Sequence, residues 1–88
     1  MDNLGTVYAT LGESGEVVLL AIFDGANAPD GIQAVTGLNL KLIASRLRAL
    51  VNLQLATVDS NKYDLTVSGR KLAQSLAERR SAGESIRR

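Results

Sequence analysis

The 88-residue sequence has no cysteine and no histidine. Without them, no disulfide can brace the fold, the usual zinc ligands are missing, and Ser-His or Cys-His nucleophilic catalysis lacks its base. Tryptophan is also absent, and two tyrosines and one phenylalanine are the only aromatics. That is too few for a platform on which successive single-stranded bases stack. The longest apolar run, Val17 to Phe23, falls far short of the roughly 20 residues a membrane-spanning helix needs. No basic-then-apolar leader precedes it, so a cytoplasmic protein without membrane contact is expected. Carboxylates are scattered, and there is neither a glycine-rich phosphate loop nor a metal-binding cluster, so the expectation is no enzyme, no cofactor and no metal.

Cations are missing from one half of the chain. Residues 1–40 carry Asp2, Glu13, Glu16, Asp24 and Asp30 with no Lys or Arg, a charge of −5, whereas residues 41–88 carry all ten Lys and Arg for a charge of +6. The net charge of +1 hides this split. A basic half attracts phosphates even in a nearly neutral protein; a merely solvated half would show the same composition. Length and a 45% hydrophobic content fit one domain with one small core. A core that size gains from a second copy, so a homodimer is expected.

Along the chain, residues 1–11 favour neither strand nor helix. Ser14 is suited to cap a helix from about Ser14 to Phe23, with Val17, Leu20, Ala21 and Asp24 at helical spacing, closed by Asp24-Gly25. Pro29 and Asp30 open a short helix to about Thr36, with Ile32 and Val35 expected to face the core. Gly37 supplies a turn and Asn39 a cap for a third helix over about 40–53. There Ile43, Leu47 and Leu50 form the buried stripe, and Lys41, Ala44, Ser45 and Arg48 fall on another face. Leu55–Val58, the turn cluster Asp59–Lys62 and Tyr63–Val67 predict a β-hairpin. A last helix from about Gly69 to Arg80 follows, with Leu72 and Leu76 on one face, and residues 81–88 are expected to be a disordered basic tail.

This order, together with Thr36-Gly37-Leu38-Asn39, the Ile43, Leu47, Leu50 stripe and Tyr63-Asp64-Leu65-Thr66-Val67-Ser68-Gly69-Arg70, resembles bacterial and archaeal winged helix-turn-helix regulators of the MarR-like and PadR-like kind. The resemblance covers about residues 13–80. It implies a mainly α, α+β fold over residues 1–80: a three-helix core, a hairpin wing and a C-terminal helix. It further implies a transcriptional regulator that binds double-stranded DNA as a dimer, with the third helix in the major groove and the wing on the flanking backbone or minor groove. By position, Asn39, Lys41, Ser45 and Arg48 on that helix, Lys62 at the wing tip, and Arg70 and Lys71 at the start of the last helix become the DNA-contacting candidates.

Two positions depart from the pattern. Gln54 stands where such regulators close the third helix with glycine, which requires a strained turn or another loop path. Leu40 and Leu42 occupy the start of the reading helix, where polar side chains are the rule. One apolar side chain there can meet a thymine methyl, but two raise the alternative of an apolar patch for a protein partner. Arg46, beside the buried stripe, points to the DNA backbone or to an acidic neighbour. For Arg70 and Lys71, pairing with Asp64 or Asp59 competes with a phosphate.

Overall fold

In the computed structural model, the backbone is described for residues 3–87 and the side chains for residues 11–79. The elements run α1 (Asn3–Phe23), α2 (Pro29–Thr36), α3 (Leu40–Asn52), β1 (Ala56–Asp59), β2 (Lys62–Leu65) and α4 (Val67–Arg87). Both the order and the mainly helical α+β class are those expected.

Gly12 interrupts α1 with φ 66° and ψ −176°, a backbone region essentially reserved for glycine. The helix expected from Ser14 is therefore the second half of α1, and residues 3–11 of the undecided segment before it are helical as well. Leu11, Gly15, Val18, Leu19 and Ile22 recur at helical spacing and are buried. Of the helically spaced set Val17, Leu20, Ala21 and Asp24, only Ala21 is buried; Val17 and Leu20 are half-buried and Asp24 is exposed. A continuous apolar run contains no polar residue to mark its outer face, so periodicity could not choose between neighbouring registers.

At the end of α1, Gly25 N–H donates to Ile22 O at 3.0 Å and Ala26 N–H to Ala21 O at 3.0 Å, with Gly25 at φ 115°. This paired closure is a Schellman motif. In α2, Ile32 is fully buried, but Val35 is 65% exposed, contrary to expectation. Two turns of helix present only a narrow inner face, and Ile32 fills it; Val35 lies at the rim of a shallow groove with Val17, Leu20 and Ala21. Thr36 Oγ1 donates to Ile32 O at 2.8 Å and accepts from Leu38 N–H at 3.2 Å, which fixes the turn into α3. Gly37, at φ 77°, allows the reversal.

Ile43, Leu47 and Leu50 of α3 are buried as expected and join Leu11, Val18, Leu19, Ile22, Ile32, Leu55, Leu65, Leu72 and Leu76 in one core. Tyr63 packs against its edge. α3 ends in a second Schellman motif: Gln54 N–H donates to Val51 O at 3.0 Å and Leu55 N–H to Leu50 O at 2.9 Å, with Gln54 itself at φ 62°. Of the two loop paths open to a non-glycine residue here, the chain takes the strained one.

β1 and β2 pair antiparallel with Asp59 opposite Lys62, and the two loop residues Ser60 and Asn61 both have positive φ. A tight primed turn of this kind matches the right-handed twist of the strands. β2 stops at Leu65, two residues before the expected end, because Thr66 begins α4. Its Oγ1 accepts from Gly69 N–H at 3.0 Å as an N-cap and donates to Gln54 O at 2.8 Å, while its own N–H donates to Leu55 O at 3.0 Å. α4 then continues to Arg87, past the expected end at Arg80. Residue 81 therefore does not mark a helix end: Ala82 and Glu84 favour helix over the weaker Ser81 and Gly83.

Candidate nucleic-acid interface

At about 100° of rotation per residue, Lys41, Ser45, Arg48 and Asn52 stand at i, i+4, i+7 and i+11 and make one stripe along α3. All four are exposed, and Ile43, Leu47 and Leu50 lie on the opposite, buried side. No acidic residue occurs anywhere on α3. Asn39 precedes the stripe as the N-cap, its Oδ1 accepting from Leu42 N–H at 2.8 Å. That bond uses the amide oxygen and leaves the NH2 group to donate outward. Asn52 was missed in the sequence because it lies at the helix end; extending the Lys41, Ser45, Arg48 spacing by four finds it.

Arg46 leaves α3 on a different side, and its Nε–H donates to Ser14 Oγ of α1 at 2.8 Å. Neither the DNA backbone nor an acidic neighbour is needed to explain it. The same bond engages the hydroxyl that was expected to cap the first helix. Leu40 and Leu42 also separate: two steps of about 100° put them on opposite flanks of α3. Leu40 is 44% exposed, next to exposed Ala44, whereas Leu42 is half-buried. They do not form one patch.

Lys62 is exposed beside the hairpin turn, opposite Asp59. Behind the turn, Tyr63 N–H donates to Asn27 O at 2.7 Å, which straps β2 to the α1–α2 loop. Arg70 and Lys71 are exposed in the opening turns of α4. Arg70 Nη2 lies 3.6 Å from Asp64 Oδ1, with both side chains mostly in solvent, so this pair adds little stability and stays open to exchange. The sequence-predicted residues thus divide into a group on α3, a single lysine at the hairpin tip, and a pair at the head of α4 that leans on β2. Among the described residues no charged or polar side chain is fully buried, and no cluster of His, Asp or Glu has metal-binding geometry.

A helix pair crossed by a tight turn, followed directly by a hairpin and a further helix, also describes a solved protein. The crystal structure of a MarR family protein from Mycobacterium tuberculosis matches with a TM-score of 0.72 at 20% sequence identity, over 94% of this chain and 66% of that one. The chain has the winged helix-turn-helix fold. No family model matches the sequence, and no curated protein matches it.

With the winged helix established, the Tyr-x-Leu-Thr-x-x-Gly-Arg stretch acquires physical reasons. Leu65 is buried in the core, and Thr66 joins the exit of α3 to the start of α4. A Cβ on Gly69 would sit 1.9 Å from the carbonyl oxygen of Leu55, so no other residue fits there. Arg70 is the one position of the pattern that faces solvent and an ionic partner. Of the five defined positions, Tyr63, Leu65, Thr66 and Gly69 pack or bond within the fold, and Arg70 alone is exposed. Among the described residues, no helix of the winged helix is long and apolar enough to cross a membrane.

Proposed function

We propose that this chain binds double-stranded DNA as a small transcriptional regulator, laying α3 in the major groove with the β1–β2 wing on the adjacent backbone or minor groove. The observation that carries this reading is the exposed Lys41, Ser45, Arg48, Asn52 stripe on a helix with no carboxylate, set in a winged helix. Its cations neutralise phosphates or donate to guanine O6 and N7, and its hydroxyl and amide groups hydrogen-bond to phosphates or base edges. Lys62 offers a single cation at the wing tip, opposite Asp59, and Arg70 and Lys71 add charge near the wing. The activity is binding, not catalysis. Two copies acting on a two-fold symmetric site complete the reading, because a single α3 spans too few base pairs for a specific address. The chain spans 66% of the length of its structural relative, so the pairing surface and any signal response belong to this proposal as well.

A salt titration on random duplex DNA tests it. Neutralising about four phosphates costs about a hundredfold in affinity between roughly 50 and 200 mM salt. Absence of binding at low salt, or binding indifferent to salt, would sink the proposal. Solution mass combined with a nuclease footprint tests the two-copy arrangement, since paired protection about 10 base pairs apart requires a dimer.

A further inference from the structure

We infer that α3 recognises thymine by its 5-methyl group through Leu40 and Ala44, an inference that rests on the duplex-DNA reading above. Leu40 is the first residue of α3 and remains 44% exposed, whereas eleven leucines and isoleucines among the described residues are buried in the core. Ala44, one turn further on, is exposed on the same flank, about 40° away around the helix. In a helix-turn-helix the opening turns of the second helix are the ones that meet base edges. Apolar side chains at that place have one chemical counterpart in the major groove, the methyl group of thymine.

The surrounding groups narrow the choice. Cytosine offers an amino donor there and needs an acceptor, but α3 carries no Asp or Glu. Adenine is read by an amide that donates and accepts together, and Asn39 has given its acceptor to Leu42 N–H. Lys41, flanking Leu40, supplies a donor for thymine O4 or for guanine. A flank that is apolar and donor-rich, with no carboxylate on the helix and its capping amide oxygen already engaged, fits thymine beside guanine. Leu42, on the far flank, takes no part.

The test uses the full chain and its preferred duplex, recovered from a random library, with each thymine replaced in turn by deoxyuridine. Removing one contacted methyl lowers affinity about fourfold, at one or two positions in each half-site. In Leu40→Ser that ratio falls to about one at the position Leu40 contacts, while the salt dependence and the far-ultraviolet circular dichroism stay those of the parent. Ala44→Ser removes the ratio at the neighbouring position. Equal affinities for thymine and deoxyuridine throughout, with salt-dependent duplex binding intact, would overturn this inference alone. A ratio that survives in both variants overturns the assignment to these residues. Absence of duplex binding at low salt overturns it together with the proposed function.

Discussion

Arg46 on α3 reaches back to α1, its Nε–H donating to Ser14 Oγ at 2.8 Å. One guanidinium thereby links α1 and α3, the helix pair in most extensive contact. Ser14→Ala should destabilise the fold by about 1 kcal/mol, the usual net value of an intramolecular hydrogen bond, since this one is only partly buried. Urea unfolding of Ser14→Ala, Arg46→Ala and the double variant should give a coupling of about 1 kcal/mol. A coupling near zero would show that the bond contributes nothing in solution.

Gly69 faces a backbone carbonyl, not a side chain, so nothing flexible can yield to a new Cβ 1.9 Å from Leu55 O. Gly69→Ala should cost at least about 3 kcal/mol by forcing β1 and α4 apart. Gly31→Ala is the matched control: its Cβ would meet only Ala26 Cβ at 3.9 Å, inside a helix. There alanine should gain about 0.5–1 kcal/mol. Thermal unfolding followed by circular dichroism separates the two by sign.

Gln54 occupies the left-handed position of its Schellman motif at φ 62° with an exposed side chain. Left-handed backbone costs a residue with a Cβ about 1–2 kcal/mol, and glycine's extra freedom in the unfolded chain returns about 0.5–1 kcal/mol of that. Gln54→Gly should therefore stabilise by about 0.5–1 kcal/mol. A lower urea midpoint would mean that the Gln54 side chain makes a contact worth more than the strain.

Lys41 and Arg48 are exposed and bear no packing load. Replacing both with alanine should leave stability within about 0.5 kcal/mol, weaken duplex binding at least about tenfold, and reduce the log–log salt slope by about 1 to 2. Unchanged binding would move the interface off α3.

Asp64 holds Arg70 in an exposed pair. Asp64→Asn should change stability by less than about 0.5 kcal/mol and raise duplex affinity, because it frees a cation and removes a charge that phosphate repels. If affinity falls instead, Arg70 needs Asp64 to hold it in position.

The sequence disclosed the fold wherever local chemistry was unambiguous. Gly25, Gly37 and Asn39 mark helix boundaries by backbone freedom or capping, and the structure uses each for that. The α3 stripe was legible because polar residues alternate with Ile43, Leu47 and Leu50. It failed where composition was uniform, as in the register of Val17 to Phe23, and where an element was too short to average, as with Val35. Thr66 was read as strand because β-branching suggests strand, while its capping role appears only once Gly69 and Gln54 lie beside it. Of the candidate site, helical spacing separated Lys41, Ser45 and Arg48 from the buried stripe, and only the family resemblance made that face a DNA-contacting candidate. The engagement of Arg46 by Ser14, 32 positions away, could not be read, since nothing local records that distance.

Thr66 has a further consequence. Its side chain and amide together bind the exit of α3, the root of the hairpin and the first turn of α4, and Tyr63 N–H anchors the hairpin a second time through Asn27. The hairpin is therefore not an arm that swings on a loose pivot. A force applied at Lys62 is passed through Thr66 to α3 and α4 together, so a displacement of the wing tip is shared with the helix that carries the stripe.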